Sequence, residues 1–348
     1  MADREDSSYN LTISIDDNVD EEGKNNESEA DSQTNINDEC LIKPGMIVGN
    51  LFKTAMKLGS GSFGQIFSGS CLIDQTKVAI KFEPINKHST QLLNENQIYG
   101  LIGDREGFPK IYWFEQSYIN RYNVMVIELL GENLEEIFQA CKQNFSIETI
   151  LHITLQLLDR FKYLHSRNIV YRDVKPENFL LGNVGSNKQN LIHIVDFGLS
   201  KKFIDEQTGE HIPFRERRVM TGTARYMSIN SLCGAEQSRR DDLEALGYLF
   251  VYFLRKGKLP WSGLHAANVK ERYKKIRLMK QTLPLNELCE GYKEFEEFIT
   301  YTRGLGFEQT PNYEEWLTRF ENLYKEKIFI SRQKMANIEF DWERIKRL

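Results

Sequence analysis

The residues with the clearest chemical potential lie close together, in the stretch from Tyr171 to Asn178. It places the carboxylate of Asp173, the ammonium of Lys175 and the amide of Asn178 within six positions. A carboxylate can accept the proton of an attacking hydroxyl. An ammonium can neutralise a transferring phosphoryl group, and an amide oxygen can hold a metal ion. The stretch therefore contains the kinds of group that phosphoryl transfer to a hydroxyl requires.

A second carboxylate, Asp196, directly follows the apolar run from Leu191 to Val195 and begins the sequence Asp196-Phe197-Gly198. An apolar run of this length is typical of a buried strand. Magnesium is usually held by one or two carboxylates together with substrate phosphates. Asp196 is therefore a candidate Mg²⁺ ligand, with Asn178 as a second.

A glycine motif, G-x-G-x-x-G, is formed by Gly59, Gly61 and Gly64. A dinucleotide-binding site has the same spacing but needs a helix after the third glycine. Here residues 65–69 alternate polar and apolar side chains, which favours a strand. The sequence therefore predicts a hairpin whose glycines let the backbone approach phosphates closely.

Lys81 ends the apolar run Val78-Ala79-Ile80 and follows Gly64 by 17 residues. Taken alone it is most simply an edge-strand lysine, and Glu95, 14 residues further on, a solvated helix residue. Next to a phosphate loop, however, the ammonium could bind phosphate oxygens, and Glu95 could hold it in position.

The elements that would position these groups change along the chain. Short runs rich in β-branched and aromatic residues predict five strands, at Phe52–Gly59, Gln65–Ile73, Lys77–Glu83, Ile111–Glu115 and Asn123–Leu130. Apolar residues at helical spacing predict helices at Thr90–Ile102, after an N-cap at Ser146, and at Arg239–Leu254, Leu264–Met279, Tyr292–Arg303 and Tyr313–Tyr324. A sheet-rich lobe followed by a helical lobe is an α+β architecture with a cleft between the lobes.

The composition of the 348 residues is that of a globular protein, with 41% hydrophobic and 27% charged residues, which excludes collagen-like and fully disordered chains. The longest apolar run, Leu246–Leu254, is about half the length of a membrane span. Five scattered cysteines argue against a disulfide framework and fit a reducing compartment. With no secretory signal, we expect a cytoplasmic protein, with nuclear or membrane association left open.

Charge is distributed unevenly. Residues 1–43 hold 13 acidic and three basic residues, a net charge of −10, and the remainder carries +5. The acidic segment has few apolar residues, so we expect it to be disordered. It is either a passive solvating tail or a regulatory segment. The charge of the remainder is too modest to indicate a nucleic-acid partner.

Four features of the sequence, in their order along the chain, resemble a eukaryotic protein kinase. They are the glycine motif, Lys81, the stretch from Tyr171 to Asn178 and the sequence Asp196-Phe197-Gly198, and the resemblance covers residues 52–326. In place of the usual Ala-Pro-Glu motif stands Thr221–Asn230, whose Ser228-Ile229-Asn230 ending is a hallmark of the casein kinase 1 family. The stretches His211–Glu216, Glu236–Gly247 and Leu259-Pro260-Trp261 resemble that family too. Tyr171 and Glu177 resemble its gamma and yeast membrane-associated branches.

The resemblance implies a bilobal kinase fold and an ATP- and Mg²⁺-dependent serine/threonine kinase. It implies an N-lobe at 44–130, a C-lobe at 131–326 and a C-terminal extension at 327–348. ATP would lie among Leu58, Gly59, Ser60, Gly61, Ser62, Phe63, Gly64, Gln65, Ile66, Ala79, Lys81, Glu95, Ile127, Glu128, Leu130 and Leu180, with the backbone of Glu128 and Leu130 bonding adenine. Asp173 would be the base, Lys175 the γ-phosphate ligand, Asn178 and Asp196 the metal ligands, and Asp242 a brace for the catalytic loop.

Substrate preference also follows from the resemblance, which implies protein substrates with acidic or phosphorylated residues upstream of the acceptor. Two anion sites are implied, one at Arg172, Lys201 and Arg218 and the other at Arg225, Gly263 and Arg272. Taken alone, each arginine is more simply a solvated or paired side chain. If a bound anion neutralises Arg172, we expect the kinase to need no phosphate on its activation loop for this purpose. Ser7, Ser8, Ser28 and Ser32 lie among acidic residues and are candidate autophosphorylation sites.

Two alternatives remain beside an active, monomeric protein kinase. A pseudokinase scaffold usually lacks residues of the Lys81, Asp173 or Asp196 type, and all three are present. A small-molecule kinase of similar fold would not need the complete peptide-groove stretch from Thr221 to Asn230. Phosphorylation of a peptide separates the three.

Overall fold

The structure is a computed structural model that describes residues 42–61, 64–85, 91–118, 121–183, 185–334 and 340–345. The N-terminal lobe contains one antiparallel sheet of six strands in the order β1-β2-β3-β4-β6-β5. Its elements are β1 (Ile47–Val48), β2 (Phe52–Gly61), β3 (Gly64–Cys71), β4 (Lys77–Pro84), α1 (Gln91–Ile102), β5 (Ile111–Tyr118) and β6 (Tyr122–Glu128). The five predicted strands and the first predicted helix are confirmed, with ends that differ by at most three residues.

The second lobe is mainly helical. Its helices are α2 (Leu134–Ala140), α3 (Ile147–Ser166), α4 (Ile229–Leu232), α5 (Arg239–Leu254), α6 (Val269–Thr282), α7 (Leu285–Leu288), α8 (Lys293–Gly304), α9 (Tyr313–Lys334) and α10 (Asp341–Ile345). Short strands lie between α3 and α4, namely β7 (Ile169–Val170), β8 (Phe179–Leu181), β9 (Ile192–Ile194) and β10 (Lys201–Lys202). The predicted α+β, two-lobed architecture is confirmed.

The apolar core forms two clusters, one within the sheet lobe and a larger one that extends from Ala79, Ile127 and α1 into the helical lobe. In the sheet lobe, Phe67, Ile80 and Val126 belong to one buried cluster. In the helical lobe, the core centres on α3 and α5, and every residue of α5 from Asp241 to Leu254 is buried. The prediction of a central buried helix at Arg239–Leu254 is therefore confirmed.

Local capping explains where α3 begins. The Ser146 hydroxyl accepts a hydrogen bond from the backbone N–H of Thr149, as its sequence position predicts. The same cap is tied to the C-terminal part of the chain, because Asp341 Oδ2 accepts from the backbone N–H of Ser146 at 2.6 Å. Helix α10 therefore packs at the start of α3.

Two helix boundaries differ from the predicted ones by more than three residues. Helix α6 begins at Val269 and not at Leu264, because the Asn268 side chain caps it by accepting from the backbone N–H of Glu271 at 2.9 Å. Helix α9 continues past Tyr324 to Lys334, across the predicted boundary at residue 326.

Within the described parts of the chain, no helix combines the length and apolar character that crossing a membrane requires. Residues 1–41 of the acidic segment, with the candidate phosphorylation sites Ser7, Ser8, Ser28 and Ser32, lie outside the described residues.

Candidate active site

The catalytic loop, which follows β7 and runs from Tyr171 to Asn178, is held in place by one buried carboxylate. Asp242 on α5 accepts hydrogen bonds from the backbone N–H groups of Tyr171 at 2.7 Å and Arg172 at 2.8 Å. Its Oδ2 also lies 2.9 Å from Nε2 of His165. The predicted brace is confirmed. The contribution of His165 was not predicted, because the contact joins α3 to a residue 77 positions away.

The backbone at the site adopts an uncommon conformation at two residues. Arg172 has a φ of 71° and Asp196 a φ of 62°, both in the left-handed region that L-residues rarely enter. Such strain is found where surrounding contacts impose a conformation that function requires. Tyr171 supplies one of these contacts, since its buried hydroxyl donates to the carbonyl of Val195 at 2.7 Å. Tyr171 therefore supports the loop that carries Asp196.

Asp173 is 2% exposed and lies at the centre of three polar contacts. Its Oδ2 is 3.3 Å from Nζ of Lys175 and accepts a hydrogen bond from Nδ2 of Asn178 at 3.1 Å. Its Oδ1 accepts from the Thr223 hydroxyl at 3.1 Å. Burial raises the pKa of the Asp173 carboxyl, against the neighbouring Lys175 ammonium. A raised pKa favours uptake of a proton, which suits a general base.

The predicted partner of Lys81 is also in place. Nζ of Lys81 on β4 lies 2.6 Å from Oε1 of Glu95 on α1. Burial opposes the charged form of Lys81, but the carboxylates of Glu95 and Asp196 outweigh it and raise the pKa of the ammonium. The ammonium therefore stays charged and fixed, as a phosphate ligand must be.

Asn94, the neighbour of Glu95, was not predicted as a site residue. Its Nδ2 donates to the carbonyls of Phe197 at 3.3 Å, Gly198 at 3.1 Å and Ser200 at 3.0 Å. Helix α1 thus positions Lys81 through Glu95, and it positions the loop after Asp196 through Asn94.

The glycine motif lies in the predicted hairpin. Strands β2 and β3 pair Gly59 with Ile66, Ser60 with Gln65 and Gly61 with Gly64. Gly64 has a φ of 127°, and a Cβ there would lie 1.9 Å from the carbonyl oxygen of Phe82, so only glycine fits. Ser62 and Phe63 lie outside the described residues. Leu58 is 48% exposed at the start of the hairpin.

The predicted adenine pocket is built from paired strands. Ala79 on β4 lies opposite Ile127 on β6, and both are buried. Ile66 packs against the same core, and Leu180 lies half-buried on β8.

The segment after β6 continues this pocket. The Glu128 N–H donates to the carbonyl of Lys110 at 2.8 Å, which leaves the Glu128 carbonyl as the backbone group that can accept from adenine. The Glu128 side chain accepts from the Lys110 N–H at 3.2 Å. Leu130, the second residue predicted to bond adenine, is buried two positions further on.

The residues predicted to hold Mg²⁺ have the donor chemistry that the ion prefers. Asn178 is buried and uses its amide nitrogen for two hydrogen bonds, both to Asp173, so its amide oxygen is the atom that can face a cation. Asp196 supplies a carboxylate. Carboxylate and amide oxygens are suitable Mg²⁺ ligands, and the residues present therefore fit the ion.

The first predicted anion site contains a carboxylate of the chain itself. Glu236 is buried, and its two oxygens lie 3.0 Å from Nζ of Lys201 and 3.1 Å from Nε of Arg218. Arg172 is half-buried, its charge interacts with that of Glu236, and its Nε donates to the carbonyl of Leu199 at 2.7 Å. The structure thus brings the three predicted cations together around an acidic residue that sequence reasoning missed.

The second predicted anion site lies along the segment before α4 and at the start of α6. The Arg225 guanidinium lies 5.9 Å from the ring centroid of Tyr226 and 5.7 Å from that of Tyr252. Arg272 is half-buried in the first turn of α6. Gly263 has a φ of 69° and lies in the loop that leads to α6.

Comparison with known proteins agrees with this geometry. The protein kinase domain family matches residues 52–309. The chain is 46% identical over 268 residues to casein kinase I homolog 2 of Schizosaccharomyces pombe, which covers 77% of the chain and 61% of that protein. It is 45% identical over 278 residues to casein kinase I homolog 3 of the same organism, which covers 80% of the chain and 63% of that protein.

A casein kinase I homolog of Kluyveromyces lactis is 44% identical over 284 residues, which is 81% of the chain and 52% of that protein. The chain thus spans between half and two thirds of the length of these relatives. The matched residues include the glycine hairpin, the Lys81–Glu95 ion pair, the catalytic loop and Asp196. The chain therefore belongs to the protein kinase family, and its kinase domain is similar to those of casein kinase I homologs.

Proposed function

We propose that the chain is an active serine/threonine protein kinase that transfers the γ-phosphoryl group of ATP to protein substrates. The observation that carries this proposal is the surroundings of Asp173, a buried carboxylate in contact with Lys175, Asn178 and Thr223. A binding-only protein has no need for this arrangement.

The residues divide the work as follows. Asp173 orients the substrate hydroxyl and takes up its proton. Lys175 and Lys81 place positive charge beside the phosphate oxygens, where negative charge develops in the transition state. Mg²⁺, when bound, neutralises phosphate charge, and Asn178 and Asp196 would hold it. The glycine hairpin covers the phosphates and excludes water. Positioning and electrostatics account for the reaction, because little covalent chemistry is asked of the protein.

The test is transfer from Mg²⁺-ATP to a serine peptide with an acidic upstream segment, compared with Asp173→Asn. We expect phosphopeptide from the wild-type protein and a loss of at least about 100-fold in the variant. Equal activity of the two proteins would assign the transfer to a contaminant. ATP binding without transfer by the wild-type protein would favour a pseudokinase.

We further propose that substrates carry acidic or phosphorylated residues upstream of the acceptor. The two arginines of the second predicted anion site, Arg225 and Arg272, support this preference, because guanidinium groups bind phosphate through paired hydrogen bonds. Phosphorylation of the acidic segment at Ser7, Ser8, Ser28 or Ser32 would be one instance, and mass spectrometry after incubation with Mg²⁺-ATP tests it.

Activity without activation-loop phosphorylation is a third part of the proposal. In many kinases a phosphate in this loop neutralises the arginine of the catalytic loop. Here Glu236 supplies a negative charge between Lys201 and Arg218 and beside Arg172. We expect full activity after phosphatase treatment, and loss of activity on that treatment would contradict this part. A cytoplasmic location and a monomeric state stay predictions.

A further inference from the structure

A buried lysine at the end of α6 is not used by the chemistry described above. Lys280 is 0% exposed, and its Nζ donates hydrogen bonds to the carbonyls of Met227 at 2.6 Å, Arg225 at 3.1 Å and Ala224 at 3.4 Å. An ammonium has three N–H donors and no acceptor, so three carbonyls match its full capacity. The amine of Lys280 therefore holds the backbone of the segment that precedes α4, at residues 224, 225 and 227.

Aromatic rings enclose the same amine. Nζ of Lys280 lies 4.1 Å from the ring centroid of Tyr248 and 4.8 Å from that of Trp261. Burial lowers the pKa of Lys280 well below its usual value, whereas the three carbonyls and the ring faces favour the charged amine. Trp261 also donates through Nε1 to the carbonyl of Arg225 at 2.8 Å, so this carbonyl accepts two bonds from the helical lobe.

The segment that Lys280 holds connects two parts of the site. Thr223, at its start, bonds to Asp173 and accepts through its carbonyl from the N–H groups of Tyr226 at 2.9 Å and Met227 at 3.1 Å. Arg225, in its middle, is the predicted contact to a substrate anion. A shift of the carbonyls that Lys280 holds would therefore displace both Thr223 and Arg225.

A separate set of contacts holds the C-terminal end of this segment, where α4 begins. The Ile229 N–H donates to Oε1 of Glu244 at 3.2 Å, and Arg303 lies 3.4 Å from the same oxygen. Arg303 also donates to the carbonyl of Lys280 at 2.8 Å, which fixes the end of α6. Glu244 therefore holds the start of α4, whereas the carbonyls of Ala224, Arg225 and Met227 are held by Lys280, with Trp261 as a second donor to Arg225.

We propose that Lys280 is a positioning residue for substrate recognition, which fixes the backbone of residues 224–227 and so aims Arg225 at the substrate. This inference rests on the proposed kinase function for its kinetic consequence. A lysine that only filled the core would be replaced by methionine with no selective effect on peptide binding. A positioning lysine affects the peptide and not ATP, because the ATP-binding residues lie in other elements.

The experiment compares Lys280→Met, which keeps the length of the side chain but removes the donors, with Lys274→Met at an exposed position of the same helix. For an acidic peptide we expect KM to rise about 10-fold or more in Lys280→Met, as for lost hydrogen bonds from a charged group. The KM for ATP should change by no more than about twofold, because the ATP-binding residues lie in other elements. A partial loss of folded enzyme would lower the apparent kcat and leave both KM values unchanged. An unchanged peptide KM in a folded Lys280→Met would overturn the proposal.

Trp261→Phe provides a second route if Lys280→Met does not fold, because it removes one donor to Arg225 and keeps an aromatic ring. A raised peptide KM in this variant supports the proposal, and an unchanged one contradicts it. Hydrogen exchange of residues 221–233 gives a readout that needs no turnover, and we expect faster exchange there than in the wild-type protein. If the wild-type protein transfers no phosphate, the proposed function fails, while the exchange measurement still decides the role of Lys280.

Discussion

The hydroxyl of Thr223 donates a hydrogen bond to Oδ1 of Asp173 at 3.1 Å, across 50 residues of sequence. This contact joins the substrate-binding segment to the proposed catalytic base. The residue before Thr223, Gly222, has a φ of 109°, and a Cβ there would lie 2.5 Å from the carbonyl oxygen of Arg172. The segment can therefore approach the catalytic loop closely only because residue 222 is glycine.

Loss of the Thr223 donor should slow phosphoryl transfer. Thr223→Val keeps the shape of the side chain but leaves Asp173 with one fewer hydrogen bond, so we expect kcat to fall about 10-fold. The KM for ATP should stay unchanged. Steady-state kinetics check this, with Thr300→Val, at an exposed threonine of α8, as the control. A wild-type kcat in Thr223→Val would show that the contact does not orient the base.

The Lys81–Glu95 ion pair predicts a graded loss. Lys81→Met removes the charge beside the phosphates, and we expect kcat/KM to fall on the order of 100-fold or more. Glu95→Gln keeps Lys81 but weakens its orientation, so the loss should be smaller. Lys77→Met, at an exposed lysine on the same strand, is the matched control. A larger loss in Glu95→Gln than in Lys81→Met would contradict these roles.

The carboxylate of Glu236 predicts a dependence on added anions. Glu236→Gln leaves Lys201 and Arg218 without their shared negative charge, so activity should fall, and inorganic phosphate should restore part of it. The wild-type protein should not respond to phosphate. Glu206→Gln, which removes an exposed partner of Lys202, serves as the control. Full activity of Glu236→Gln without phosphate would mean that the cluster needs no internal anion.

The buried carboxyl of Asp241 predicts a pH dependence of stability. Burial is the main cause that raises its pKa to about 6, although the hydroxyl of Ser228 and the N–H of Ser238 both bond it. Because the native pKa lies above the unfolded one, the folded protein binds the proton more tightly. The free energy of unfolding should therefore fall as pH rises from about 4 to about 6, by up to about 3 kcal/mol, and then stay level.

Asp241→Asn tests this difference, because its amide oxygen can accept from the Ser238 N–H, its amide N–H can donate to the Ser228 hydroxyl, and the side chain does not ionise. Urea unfolding at a series of pH values should show the decline between pH 4 and 6 in the wild-type protein to be larger than in the variant. The same slope in both proteins would place the responsible group elsewhere.

Much of the site follows from local sequence. The glycine hairpin, Lys81 and the residues from Asp173 to Asn178 are close in sequence to the strands and turns that position them, so their spacing carries the signal. The alternation of residues 65–69 predicted a strand, and the structure confirms it.

The contacts that tie the site together do not follow from local sequence. Asn94, Glu236 and Lys280 each contact groups at least 18 residues away, and for Asn94 and Lys280 these are main-chain carbonyls, which every residue possesses. A backbone acceptor leaves no mark in a sequence pattern, so only the folded chain shows which lysine or asparagine meets it. The signal available for Glu236 was its place in the stretch Glu236–Gly247, which resembles the casein kinase 1 family.

The most direct test of the whole account is transfer from Mg²⁺-ATP to two peptides that differ at one position. One carries phosphoserine three residues before the acceptor serine, and the other carries plain serine there. We predict phosphorylation of both, with a clear preference for the phosphorylated peptide that Arg225→Ala reduces. Equal rates for the two peptides would contradict the proposed anion site, and no transfer to either would contradict the assignment of kinase activity.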